Sequence, residues 1–121
     1  MTTAVLCSGV TAAQTLVNGS GNVPTGSQVV NPSGGSTATN PPVQSFQLLV
    51  TCSAGNCSAT AQVIVSNDGV NWSNYGSAIS ASSGVSPNTA IANNSQPFQY
   101  YSAYITAISG TNAKASVTMG S

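Results

Sequence analysis

Apolar and polar residues alternate along most of this chain, one position at a time. In "SFQLLVT" (45–51), Phe46, Leu48 and Val50 share a face. In "ATAQVIV" (59–65), Ala59, Ala61, Val63 and Val65 lie on one side, with Thr60, Gln62 and Ile64 opposite. The longest run, "FQYYSAYITAI" (98–108), puts Phe98, Tyr100 and Tyr104 on one face and Tyr101, Ala103 and Ile105 on the other. "AKASVTM" (113–119) points Ala113, Ala115, Val117 and Met119 inward, with Lys114, Ser116 and Thr118 outward. A repeat of two residues is the signature of a half-buried β-strand, and no helical periodicity competes with it. Shorter candidates are "TAVLC", "QTLV", "SQVV", "YGSAIS" and "NTAIA".

Clusters of Gly, Asn, Pro and Ser separate the strands: "NGSGN", "NPSGG" and "SGTN". "AISGTNAKASVTMG" reads as a closing hairpin around "SGTN". The pattern predicts an all-β fold: a single β-sandwich, jelly-roll or Ig-like, of about 7–9 antiparallel strands. Residues 1–43 form an irregular N-terminal region of strands plus a Gly/Pro/Ser/Thr-rich loop or arm. Residues 44–121 form the compact sandwich, with one domain overall.

Composition adds one thing the pattern does not show. Of 121 residues, 40% are hydrophobic, enough for a core, but only 2% are charged. Ordinary soluble domains carry about 25%. The surface is therefore built of Ser, Thr, Asn, Gln and Gly, with near-zero net charge, which favours association between copies. Strand edges are usually blunted by charge, above all by Lys. With one Lys, this chain must cover its edges with its own arms or with neighbouring subunits. One Lys and no Arg exclude a phosphate-neutralising nucleic-acid surface and a polybasic membrane patch. No apolar run reaches the roughly 20 residues of a membrane span. The start, "MTTAVLCSGVTAAQ", lacks the basic segment of a secretory signal, so synthesis in the cytoplasm is expected.

The chemistry available is narrow. Without His or Glu, neither a Ser-His-Asp triad nor a carboxylate pair can form, so no enzyme, no metal and no cofactor are expected. Cys52 and Cys57 flank the loop "SAGN". If their strands pair as a hairpin the two can bridge; otherwise they are small thiols. Cys7 reads as a small strand hydrophobe. Asn67, Asp68 and Gly69 have the composition of a tight turn. An intramolecular amide of the surface-adhesin kind needs a Lys, an Asn and an acid; Lys114 and Asp68 are the only Lys and the only acid available, and Lys114 sits on a polar face. Trp72, Tyr75, Tyr100, Tyr101 and Tyr104 are candidates for a sugar platform or a subunit contact, against the plainer role of filling the core. Tyr100 and Tyr101 are adjacent and must point to opposite faces.

"TAQVIVSNDGVNWSNYGSAIS" and "FQYYSAYITAISGTNAKASVTMG" together resemble small virion-associated proteins of tailed bacteriophages. Their pattern is a "VxVSNDGxNW" strand-turn, then an aromatic strand ending "xxxITAISGTxAxxxVxMG". Val63, Val65, Ser66, Asn67, Asp68, Gly69, Asn71 and Trp72 match the first part. Ile105 to Thr111, with Val117, Met119 and Gly120, match the second. The resemblance implies a β-sandwich module located in the virion, with no catalytic residues. Its implied partners are other virion proteins, from the major capsid protein to tail proteins, and copies of itself. Capsid decoration or cement is the leading expectation. The alternatives are a tail-fibre module binding host glycans and a subunit of an extracellular filament or surface layer.

Overall fold

The structure, a computed structural model, describes residues 3–16, 23–24, 26–31, 44–83, 88–94 and 98–120. Eight strands form among them: β1 (Thr3–Val10), β2 (Gln44–Thr51), β3 (Ala54–Ser66), β4 (Ser73–Asn74), β5 (Ile79–Ser83), β6 (Asn88–Asn94), β7 (Tyr100–Thr111) and β8 (Lys114–Gly120). They make two antiparallel sheets packed face to face, the β-sandwich that the alternation predicts. The first sheet has the order β1-β8-β2-β6. In the second, β3 is central. β7 runs along one of its edges, while β5 and the short β4 share the other.

The inward residues of both sheets interdigitate to form the core. Phe46, Leu48 and Val50 of β2 face Ala59, Ala61, Val63 and Val65 of β3, with Tyr101, Ala103 and Ile105 of β7 and the alternating apolar residues of β8. These are the faces read from the sequence. Phe98 departs from its expected side. It lies ahead of β7, where strand alternation does not apply, and packs on the core edge-on to Tyr101, with ring centroids 6.0 Å apart.

The closing hairpin does not form. β7 pairs with β3 in one sheet, and β8 pairs with β1 and β2 in the other. Residues 107–120 therefore make an arch that crosses between the sheets. β7 continues through "SGT", and the chain turns at Asn112, whose φ is 52°. Local alternation requires an apolar face on each strand. It does not say whether two consecutive strands lie beside or across from one another. β2 and β3 make a second arch of the same kind.

The N-terminal part of the chain is built into the sandwich. β1 pairs with β8, and a bulge turns both Leu6 and Cys7 inward, each fully buried. "SQVV" is no strand but makes two bridges, Ser27 with Cys7 and Val30 with Tyr101. It thereby ties β1 of one sheet to β7 of the other. The Gln28 amide donates to the Leu6 carbonyl, and the Val30 and Tyr101 amides and carbonyls pair reciprocally. Ser27 Oγ donates to the Ala103 carbonyl at 2.7 Å and accepts from Gln14 Nε2. Gln14 pairs with Ile105 through its backbone amide and its Oε1. This side of the sandwich is stitched shut. Of the predicted strand "QTLV", residues 14–16 are not strand, and Val17 lies outside the described residues, as do "NGSGN" and residues 32–43.

Candidate functional site

The richest cluster of chemistry-bearing residues is the corner after β3. Ser66 ends the strand with its Oγ turned under the loop, accepting from the Asp68 and Gly69 amides at 3.3 and 2.9 Å. The same hydroxyl donates to Asp68 Oδ1 at 2.9 Å. Asp68 Oδ1 also accepts from the Val70 and Asn71 amides, at 2.8 and 2.9 Å, and Oδ2 accepts from Asn71 Nδ2 at 3.0 Å. Asn67 Oδ1 accepts from the Gln99 amide, holding the loop to the segment that enters β7. Gly69 has a φ of 77°, and the Tyr100 ring would lie 3.6 Å from a Cβ placed there. Asn67, Asp68 and Gly69 thus form the tight corner read from their residue types.

The electrostatics follow from this geometry. Four donors converge on the Asp68 carboxylate, and the backbone amides of Asn71 and Val70 act most strongly. They hold its pKa far below the ordinary range for an aspartate. A depressed folded-state pKa means that the contribution to stability is fully present above the unfolded value of about 3.9. It is lost as pH falls through the folded value. Asp68→Asn is expected to lower the melting temperature at pH 7 and to flatten its dependence on pH below 4, because an amide oxygen accepts less strongly than a carboxylate. Asp68→Ala, which leaves the amides without an acceptor, should lower it further. Melting curves from pH 2 to 7 check both. Equal melting temperatures for wild type and Asp68→Asn across that range would contradict the assignment.

Beyond the corner the chain returns as β4, pairing Ser73 with Val65 and Asn74 with Ile64. Continuing that register sets Trp72 opposite Ser66, on the outer face of the second sheet. Trp72 and Ile64 are both buried there, 2% and 0% exposed, outside the core between the sheets. Tyr75, opposite Val63, points the other way. It packs on the core with its ring edge-on to Phe98 at 5.2 Å. Gln62 Nε2 donates to the Tyr75 and Gly76 carbonyls and pins this return.

The five candidate aromatics therefore separate. Trp72 and Tyr101 are buried in the chain's own fold, and Tyr75 is half-buried against it, so these three do not make a platform for a ligand. Tyr100 and Tyr104 are half-buried on the outer face, opposite to the fully buried Tyr101, as their alternation requires. Lys114 pairs with Thr51 at the far end of the sandwich from Asp68, so the acid does not stand beside the Lys as an adhesin-type amide requires.

Cys7, Cys52 and Cys57 are thiols, with no disulfide among them. Burial pushes the Cys7 thiol up to about 11, which suits a packing residue. Cys52 and Cys57 are not hairpin partners, because β2 and β3 lie in different sheets. They meet across the arch, where the hydrogen bond between them, then burial, raise the Cys57 pKa. Sequence reading missed Gln14, Ser27 and Gln62. Gln14 and Ser27 are buried or half-buried and bond to β7, and the buried Gln62 bonds to the return after β4; only the apolar setting of Gln62 in "ATAQVIV" signalled any of them.

Among the described residues, no three His, Cys, Asp or Glu side chains gather to hold a metal ion. No helix among them is long and apolar enough to cross a membrane. Fold and site together define a β-sandwich module whose single carboxylate side chain is spent on holding a turn. No protein family model, curated protein or solved structure matches the chain.

Proposed function

We propose that this chain is a non-enzymatic structural protein of a bacteriophage virion, a capsid decoration or cement module that binds the shell in many copies. The observation that carries this reading is the outer face of the second sheet below the corner. It is a field of small hydroxyls: Ser58, Thr60, Ser80, Ser82, Thr106 and Ser109. Cross-strand bonds order it, Ser58 to Ser109 at 2.7 Å and Thr60 to Ser80 at 3.2 Å. Such a face has little side-chain entropy to lose on docking and no charge to desolvate. It suits repeated contact with another protein surface, and copies of the chain do not repel one another. With one cation in the sequence, neither nucleic acid nor an anionic membrane is its partner. A glycan-binding role, the competing reading, would rest on Tyr100 and Tyr104 rather than on all five aromatics.

Mass spectrometry and cryo-electron microscopy of purified particles encoding this chain test the proposal. The expected result is density for the sandwich on the head surface, in a fixed ratio to the capsid protein. Particles that lack the chain, or carry it only on the tail, would overturn it.

A further inference from the structure

The arch between β2 and β3 contains an irregularity that turn-making does not require. β3 pairs Ala54 with Thr111 and Ser58 with Ser109. Between these pairs β3 has three residues, Gly55, Asn56 and Cys57, and β7 has only Gly110. Two glycines permit this bulge. Gly55 takes a φ of 72°, and Gly110 takes 128°. A Cβ on Gly110 would come within 2.8 Å of Cys57 Cβ. The bulge carries the Cys57 side chain inward to 1% exposure, where it meets Cys52 through a side-chain hydrogen bond; Cys52 itself packs on the edge of the core just beyond β2. The arch is clamped from the other side. The Ser53 amide and Oγ both donate to the Thr111 carbonyl, and Asn112 Nδ2 donates to Ser53 Oγ. The result is two thiols from opposite sheets, held together at the end where both arches cross.

We propose that Cys52 and Cys57 form a redox latch that closes into an intramolecular disulfide and ties the two sheets together. The oxidant is a small-molecule disulfide of the oxidised-glutathione class. The half-buried Cys52 is the sulfur that solvent reaches. Its thiolate attacks the small disulfide, breaks the S–S bond and releases one thiol, which takes up the proton Cys52 gave up. Cys57 then loses its proton, attacks the Cys52 sulfur of the mixed disulfide and expels the second thiol. Two protein thiols are oxidised by two electrons, and one small disulfide is reduced to two thiols. Cys7, fully buried on β1, takes no part. Such a latch suits a chain that folds under reducing conditions and works under oxidising ones. It does not depend on the virion assignment.

The test compares the folded chain equilibrated in reduced and in oxidised glutathione. The oxidised form should be lighter by about two daltons. A non-reducing peptide map should join the peptides of Cys52 and Cys57, with Cys7 still alkylatable after denaturation. Closing this short loop should raise the melting temperature by about 5–10 °C. Cys52→Ser, at the half-buried position, should fold, show the reduced melting temperature in both buffers and leave no intramolecular bond. Three alkylatable thiols after oxidation, a bond involving Cys7 or a second chain, or no rise in melting temperature would each overturn the proposal.

Discussion

Tyr101→Ala is expected to be the most damaging single substitution in the chain, costing about 3–5 kcal/mol. The side chain is fully buried and lies within the core, with Phe46 and Phe98 ring centroids each 6.0 Å away. Its hydroxyl accepts from the Phe98 amide at 3.2 Å. Its backbone pairs with Val65 on one edge and Val30 on the other, so the residue sits where β3, β7 and the sealing segment meet. Truncation leaves a cavity on which three parts of the fold converge. Tyr101→Phe keeps the volume and loses one hydrogen bond, a cost of about 1 kcal/mol. Chemical denaturation of the pair separates the two contributions. A loss for Tyr101→Ala no larger than for Tyr101→Phe would show that packing at this junction is not what matters.

Gly110→Ala is expected to cost about 2–4 kcal/mol, although it adds a single methyl group. The new Cβ would meet the Cys57 Cα at 3.1 Å and the Asn56 carbonyl oxygen at 3.2 Å, backbone atoms that cannot swing aside. A φ of 128° adds strain of its own. Gly55→Ala is the matching control. It also has a positive φ but finds no atom within 4 Å of the added carbon. It should lose about 1–2 kcal/mol, the left-handed backbone penalty alone. If the two variants unfold at the same denaturant concentration, the close approach of β7 to the bulge is not tight.

Much of this fold is legible in the sequence. The alternation groups Phe46 with Leu48, Val63 with Val65 and Val117 with Met119 on core faces without reference to any partner strand; for β7 it separates Tyr101 from Tyr100 and Tyr104, and only the packing decides which of those two faces is inward. The corner of Asn67, Asp68 and Gly69 is legible too, since Asp68 and Gly69 act within a few residues of themselves, while the role of the Ser66 hydroxyl beneath it is not. What could not be read is long-range. Whether β7 and β8 pair or arch depends on which sheet each joins, and the same sequence of faces serves both. The fate of "SQVV" depends on β1 and β7 leaving a gap that it fills. Trp72 is open in sequence to the chain's own core or to another molecule, because the register that carries it over the outer face is set only once β4 meets β3. The bulge at Cys57 needs Gly110, more than 50 residues away, to be intelligible.

The sealed side also determines where the molecule can take neighbours by strand addition. β1 and β7 already have the 27–30 segment along their outer edges. On the opposite side β5 and β6 lie close together, and among the described residues no strand pairs with the outer edge of either. A sandwich open on both sides is bivalent for edge pairing and can propagate into a fibre. One open on a single side presents its free edges, β5 and β6, in one direction only: it can cap exposed strands or pair along that side with another copy, but it cannot extend a sheet out of both sides at once. For a nearly uncharged protein, this one-sidedness is a safeguard that charge does not provide, and it comes from the fold.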